Sequence, residues 1–257
     1  MEINKKNIVI TGADSGIGQA ILNHLNSMFD CKITASDLNT NHIKDSATVF
    51  PYQCDLGKPE NIDNLFDFAI SKMGGIDIFI ANAGFAYYEK IDKPDWDHIH
   101  KIYEINTFSP IYAAEKMKQL HGAQPYTVVA TASAMAFLPL AGYALYSSTK
   151  AALNGFALAY RHELNKNQKL QIVYPIATRT KFFNAAGGSP LPWPSQTAEQ
   201  VSQKVIKGIL NNRETIIPSR IYSVLKFLDR FLPFIMRIEA FIEARKFKTW
   251  LAPKKGN

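Results

Sequence analysis

The apolar positions of this chain fall into short runs separated by longer amphipathic stretches, and the alternation continues from residue 7 to residue 217. Runs at 7–11, 32–36, 76–81, 126–132, 170–174 and 214–217 are rich in Val, Ile, Ala and Thr and read as buried strands. Between them the apolar residues return at helical spacing, as in Gln19-Ala20-Ile21-Leu22-Asn23-His24-Leu25. Strands that alternate with helices imply a parallel sheet covered on both faces, because each crossover must carry the chain back to the same end of the sheet. With 257 residues and 47% hydrophobic content, one well-buried α/β domain is expected, and no repeat or low-complexity segment interrupts it.

Past Pro218 the pattern changes. From Ser219 to Asn257 there are nine Lys+Arg and three Asp+Glu, a net of +6, whereas the preceding 218 residues carry 20 minus 19, or +1. We therefore divide the chain into residues 1–218 and a basic amphipathic helical extension, residues 219–257. In the extension Ile221, Val224, Leu225, Leu228, Leu232, Ile235, Ile238 and Ile242 approximate a helical stripe, and Pro233 is expected to separate two helices. Its longest uncharged run, Phe231 to Met236, is far short of the about twenty residues that span a bilayer. Two uses remain open: a lid or subunit contact, or amphipathic helices over 219–251 lying against an anionic membrane surface. Because the positive charge is confined to this end and not interleaved with stacking aromatics, nucleic acid is not the expected partner.

Cys31 and Cys54 provide no disulfide framework, and Met1-Glu2-Ile3-Asn4-Lys5-Lys6 runs into the first strand without an apolar signal region. A cytoplasmic location follows, with membrane association through the tail as its variant. His98 and His100 point about 200° apart on a helix and are read as solvated, so no metal site is expected.

The first strand leads into Thr11-Gly12-Ala13-Asp14-Ser15-Gly16-Ile17-Gly18 and then a helix. Such a turn can bring backbone amides at a helix N-terminus onto a pyrophosphate, since glycine has no Cβ in the way and the helix end is electropositive. An ordinary tight turn is the alternative for glycines taken alone. Asp37, closing the second strand before Leu38, suits an adenosine ribose, whose hydroxyls it would accept while repelling a 2′-phosphate. Asp14 adds a second negative charge with no basic residue beside it in sequence. A strand-end turn is the structural alternative for Asp37.

Tyr146 and Lys150 are four residues apart, with Ser133 thirteen positions before the tyrosine. On a helix the two share a face, and a nearby ammonium favours ionisation of a phenol whose free pKa is about 10. Tyr112/Lys116 and Tyr222/Lys226 have the same spacing, but Ile99 and Ile209 stand where the serine would be. Surface snorkelling explains any such pair in isolation; the serine distinguishes one of the three.

Together, Thr11-Gly12-x-x-x-Gly16-x-Gly18, Asp37, Cys54-Asp55-Leu56, Asn82-Ala83-Gly84, Asn106, Ser133 and Tyr146-x-x-x-Lys150 resemble the short-chain dehydrogenase/reductase family over roughly residues 5–218. The resemblance implies a Rossmann-like doubly wound sheet binding NAD, with NADP less favoured. The glycine turn, including Asp14, Ser15 and Ile17, would hold the dinucleotide, Asp37 and Leu38 its ribose, and Asp55 and Leu56 its adenine. Asn82, Ala83 and Gly84 would support it, and Pro175, Thr178 and Thr180 would meet the nicotinamide end. Tyr146 would be the acid/base and Lys150 would lower its pKa and hold ribose. Ser133 would orient the carbonyl, and Asn106 would kink its helix and anchor a water.

The implied activity is interconversion of an alcohol with a ketone or aldehyde on a fairly apolar substrate, by a homo-oligomer. Phe182, Phe183 and Trp193 in a glycine- and proline-rich segment would shield the reacting centre, and Phe137, Leu138, Leu140 and Tyr143 make the implied pocket apolar, with core packing the alternative. Two departures stand out. Ile176 occupies a position where the family has glycine, which leaves room for a nucleotide-sensing or scaffold protein without turnover, and the tail replaces an Asp-Gly-Gly strand.

Overall fold

The computed structural model describes residues 2–229, 231–232 and 235–252. Seven strands form one parallel sheet: β1 (Asn7–Thr11), β2 (Lys32–Asp37), β3 (Val49–Gln53), β4 (Ile78–Ala81), β5 (Tyr126–Thr131), β6 (Gln168–Val173) and β9 (Thr215–Ile216), in the order β3-β2-β1-β4-β5-β6-β9. Two short strands, β7 (Thr178–Arg179) and β8 (Gln196–Thr197), pair separately. Helices α1 (Gly16–Met28) and α7 (Ala198–Leu210) cover one face; α2 (Pro59–Met73), α4 (Ser109–His121) and α5 (Ala144–Tyr160) cover the other.

The period of two along each strand explains why both faces are apolar. Ile8 and Ile10 of β1 join Ile21 and Leu25 of α1 in one core, while Val9 between them joins Leu65 of α2 and Met117 of α4 in the other. Ile78 and Ile80 against Phe79 in β4 repeat the division. All six expected strands recur within two residues at either end, β9 as the two central residues of its run. The short β7 and β8 were not expected; within the seven-stranded sheet only β3 was not expected, and its Pro51 argues against a strand interior. It is tolerated because β3 is the sheet edge, where the missing donor has no partner to serve. Thr197 and Gln200 form a reciprocal capping box that opens α7, as Thr-x-x-Gln predicts.

The strand order reverses direction between β1 and β4, the switch point at which the crossovers leave a crevice beyond the carboxyl ends of both strands. The Gly12–Gly18 turn and Asn82-Ala83-Gly84 lie at that crevice. Helices α3 (Trp96–Tyr103) and α6 (Phe182–Ala185) flank it.

The extension forms α8 (Arg220–Asp229) and α9 (Ile235–Leu251); Pro233 lies outside the described residues. Its inner side packs on the domain through Tyr222, whose hydroxyl donates to the Ala134 carbonyl at 3.3 Å, and Lys226, 3.2 Å above the Phe137 ring. Phe247 and Trp250 meet Tyr88 with ring centroids 5.3 and 4.7 Å apart. The apolar stripe, whose use the sequence leaves open between packing and a membrane surface, is largely on the outside: Ile221, Val224, Ile238 and Ile242 are exposed, and aromatic and long polar side chains make the inner contacts. Among the described residues no helix is long and apolar enough to cross a membrane.

Candidate active site

The cofactor end is built by close approach of backbones. Gly12 and Gly16 sit at φ +66° and +56°, where side chains are strained. A Cβ on Gly12 would lie 2.9 Å from Ala83 Cα, and one on Gly18 would lie 1.9 Å from the Gly12 carbonyl oxygen. Thr11 Oγ1 accepts from the amides of Asn82 and Ala83 at 3.1 and 3.2 Å, and Asn82 Nδ2 donates to the Gly12 carbonyl at 3.2 Å. Ser15 caps α1 without a side-chain hydrogen bond, and no acid stands in the first turn, so the positive helix end remains available to an anion. This Cβ-free cradle fits a dinucleotide pyrophosphate.

Asp37 lines the cavity, with Oδ2 accepting from the Asp14 amide at 2.9 Å and Oδ1 from the Leu38 amide at 2.7 Å. Burial raises its pKa, and the two backbone bonds oppose that shift. Asp14 departs from expectation: its carboxylate does not line the cavity and takes the His42 amide at 2.7 Å and His42 Nδ1 at 2.6 Å. A titratable ring therefore stands beside Asp14, brought there by the loop after β2 from a distance in sequence that a local reading overlooks.

On α5, Tyr146 and Lys150 are one turn apart and both are buried. Ser133 caps a short 3-10 turn with Oγ accepting from the Met135 amide at 3.1 Å, and its side chain stands near enough to Tyr146 to oppose a rise in the phenol's pKa. Lys150 Nζ donates to the Thr131 carbonyl at 2.8 Å and lies 5.7 Å from the Tyr146 ring centroid. Loss of solvation dominates both groups. Burial pushes Tyr146 up to about 12, against the opposing influence of the Ser133 side chain, and pulls Lys150 down to about 7. The expected lowering of the phenol by its neighbour is thus outweighed in this environment.

Asn106 lies in a π-helical turn, Glu104–Phe108, joining α3 to α4, which is the form its expected kink takes. Its Oδ1 accepts from the Phe85 amide at 3.0 Å, and Nδ2 donates to the Phe85 carbonyl at 2.8 Å and Thr149 Oγ1 at 3.2 Å. A Cβ on Gly84 would fall 3.0 Å from Asn106 Oδ1 and 3.4 Å from Lys150 Nζ, so this glycine lets both groups approach one point. Asn106 itself does not line the cavity.

The other two Tyr-Lys pairs have structural employment. Tyr112 and Lys116 both donate to Asp63 Oδ1, and Tyr222 holds the Ala134 carbonyl.

One cavity of about 940 Å³ unites the cradle with Ser133, Tyr146 and Lys150. It is also lined by Ser15, Ile17, Leu38, Asp55, Leu56, Asn82, Ala83, Gly84, Pro175, Thr178 and Thr180, whereas Gly18 acts behind the lining by contact with Gly12. Phe85, Tyr87, Thr131 and Met135 line it without having been marked in the sequence. For Phe85 and Tyr87 the available signal was their place directly after Gly84. Phe182 and Phe183 line the cavity as expected, but Trp193 is 77% exposed and shields nothing there. Phe137 and Tyr143 also lie off the lining, and Leu138 and Leu140 face a separate small cavity behind Ser133.

Ile176 lines the cavity without a positive φ, so the residue expected to miss glycine's range is unstrained. His98 is not simply solvated: it stacks on Tyr87 at 3.7 Å and pairs with Glu89 at 2.7 Å, while His100 lies 3.2 Å from Glu104. Among the described residues no cluster could hold a metal ion, and both cysteines are free.

The family model described as short chain dehydrogenase matches residues 6–188. The chain is 29% identical over 193 residues to 7alpha-hydroxysteroid dehydrogenase of Escherichia coli K12, covering 70% of this chain and 74% of that protein. It is 26% identical over 243 residues to estradiol 17-beta-dehydrogenase 11 of Rattus norvegicus, covering 88% and 79%. Its fold is similar to a short chain dehydrogenase/reductase from Burkholderia phymatum in complex with NAD, with TM-score 0.79, 18% identity and 91% and 96% coverage. A short chain dehydrogenase from Burkholderia cenocepacia J2315 in complex with NADP gives TM-score 0.77, 20% identity and 91% and 98% coverage. The chain belongs to the short-chain dehydrogenase/reductase family and is an NAD(P)-dependent oxidoreductase acting on CH–OH groups.

Proposed function

We propose that the enzyme interconverts an alcohol and a ketone or aldehyde on a fairly apolar substrate, prefers NAD, and uses Tyr146 as its acid/base. The observation that carries this reading is that Ser133 and Tyr146, both buried, stand together at the wall of the large cavity, with Lys150 one turn away from the tyrosine. Bound nicotinamide would supply or accept the hydride. Ser133 orients the substrate oxygen toward the Tyr146 hydroxyl, which gives or takes the proton at hydrogen-bond distance. Phe85, Tyr87, Met135, Phe182 and Phe183 support an apolar substrate. Similar proteins carry names for steroid and sphingoid chemistry, among them 3-ketodihydrosphingosine reductase of Dictyostelium discoideum, at 25% identity. A panel of steroids, long-chain alcohols and ketones, followed by nicotinamide absorbance, tests the reading; no turnover on any of them overturns the substrate class.

NAD preference rests on Asp37, whose two backbone donors hold the carboxylate at the cavity wall. NAD should bind at least about tenfold tighter than NADP at equal ionic strength, and Asp37→Ala should narrow that gap by removing the repulsion of a 2′-phosphate. Equal or tighter binding of NADP by the unaltered chain defeats the charge argument.

The pH dependence has a definite sign. Tyr146, held near 12, keeps its proton across the neutral range and can donate it to a carbonyl. Lys150, held near 7, carries the charge that stabilises the resulting tyrosinate below that value and loses it above. Carbonyl reduction should therefore decline as pH rises through about 7. A flat kcat between about pH 6 and 9 would contradict this role for Lys150.

A further inference from the structure

We propose that the outer surface of α8 and α9 is a docking face for an anionic phospholipid bilayer, with both helices lying in the plane of the interface. On α8, Ile221, Val224 and Phe227 recur every three residues and point outward, and Phe231 just beyond continues the line; Phe227 and Phe231 are 64% and 65% exposed. On α9, Ile238, Phe241 and Ile242 are exposed in the same manner. The inner side of the pair is already occupied by Tyr222, Lys226, Phe247 and Trp250 against the domain, so the outward residues are not a folding face left unsatisfied. Contiguous exposed apolar side chains rimmed by charge mark an interaction surface.

The sorting of charge chooses the occupant. Glu243 is buried and receives the Lys246 ammonium at 2.6 Å, and neither Asp229 nor Glu239 is fully exposed. Arg220, Arg237, Arg245 and Lys248 are exposed, and the Arg245 guanidinium lies 4.4 Å from the Phe241 ring, a cation at the edge of the apolar face. The extension withdraws its acids and presents apolar groups with cations. A second copy docking through this face would set Arg220, Arg237, Arg245 and Lys248 near their own counterparts, whereas anionic headgroups convert the same charge into attraction. Helices of 10 and 17 residues that cannot cross a bilayer fit an interfacial position, with apolar groups among the acyl chains and cations at headgroup level.

Flotation of the full chain with vesicles tests this, independently of any turnover. The chain should float with phosphatidylcholine vesicles containing roughly a third phosphatidylserine at low salt, and partition at least about tenfold less with phosphatidylcholine alone. Raising salt to about 0.5 M should weaken binding without abolishing it, because the apolar contribution remains. The double variants Phe227→Ser/Phe241→Ser and Arg237→Glu/Arg245→Glu should each lose at least about tenfold in partition while keeping the circular dichroism of the unaltered chain. Failure of the full chain to float with anionic vesicles at low salt overturns the proposal, as does wild-type flotation of the charge-reversed variant. If the unaltered chain ignores vesicles and Phe227→Ser/Phe241→Ser turns a dimer into a monomer by sedimentation velocity, the face joins two copies instead.

Discussion

Tyr146→Phe should lower turnover by about 10²- to 10⁴-fold, the range for loss of a positioned acid/base, while nucleotide affinity stays close to that of the unaltered enzyme. The substitution removes one oxygen from a ring held by Phe182 and Tyr143, at centroid distances of 5.5 and 6.1 Å, and leaves those contacts in place. Ser133 keeps the bond from the Met135 amide. Tyr112→Phe and Tyr222→Phe are the informative comparisons, since each has the same lysine spacing. The first loses a bond from α4 to Asp63 of α2, the second a bond to the Ala134 carbonyl under α8, and neither residue lines the cavity. Steady-state kinetics with a responsive substrate and NAD titration of each variant separate the three. Near-normal activity of Tyr146→Phe would show that the proton travels by another group.

Gly18→Ala should lower NAD affinity by about two orders of magnitude, near 2.7 kcal/mol. The added methyl would stand 1.9 Å from the Gly12 carbonyl oxygen and 2.7 Å from Asn82 Nδ2, and the first of these is backbone that cannot rotate aside. Either α1 withdraws from the turn or the turn opens, and both displace the amides meant for the pyrophosphate. Gly155→Ala supplies the contrast. That glycine lies inside α5 with nothing within 4 Å of an added Cβ, so alanine there should stabilise the helix by about 0.5–1 kcal/mol and leave NAD binding alone. Calorimetric titration and thermal unfolding read both effects. Wild-type NAD affinity in a folded Gly18→Ala protein would mean that the turn is not the nucleotide cradle.

Much of this was legible before any coordinates because its causes are local. The first strand, the glycine turn and α1 are contiguous in sequence, and the contact of Gly18 with Gly12 closes within seven residues. Tyr146 and Lys150 need only a helix to share a face. Ser133 is joined to them by a strand-to-helix connection of short length, so its spacing carries information. Asn106 was recognisable by resemblance, but its bonds to Phe85 and Thr149, and the glycine next to Phe85 that opens the space beside it, come from two segments distant from it in sequence.

By itself the sequence determined the parallel α/β architecture and singled out the glycine turn and the Ser133, Tyr146 and Lys150 set that the structure brings to one cavity region, since strand period, helix period and backbone sterics act over a few residues. Only the tertiary structure decided that Asp14 is engaged by His42, that Trp193 faces outward, and that the Tyr146 and Lys150 pKa values move by burial rather than mutual attraction. It also decided which side of the extension packs: a stripe of apolar residues is equally suited to a core or a bilayer, and the choice fell to Tyr222, Lys226, Phe247 and Trp250 finding partners on the domain. Desolvation and long-range packing depend on atoms distant in sequence, which no local pattern encodes.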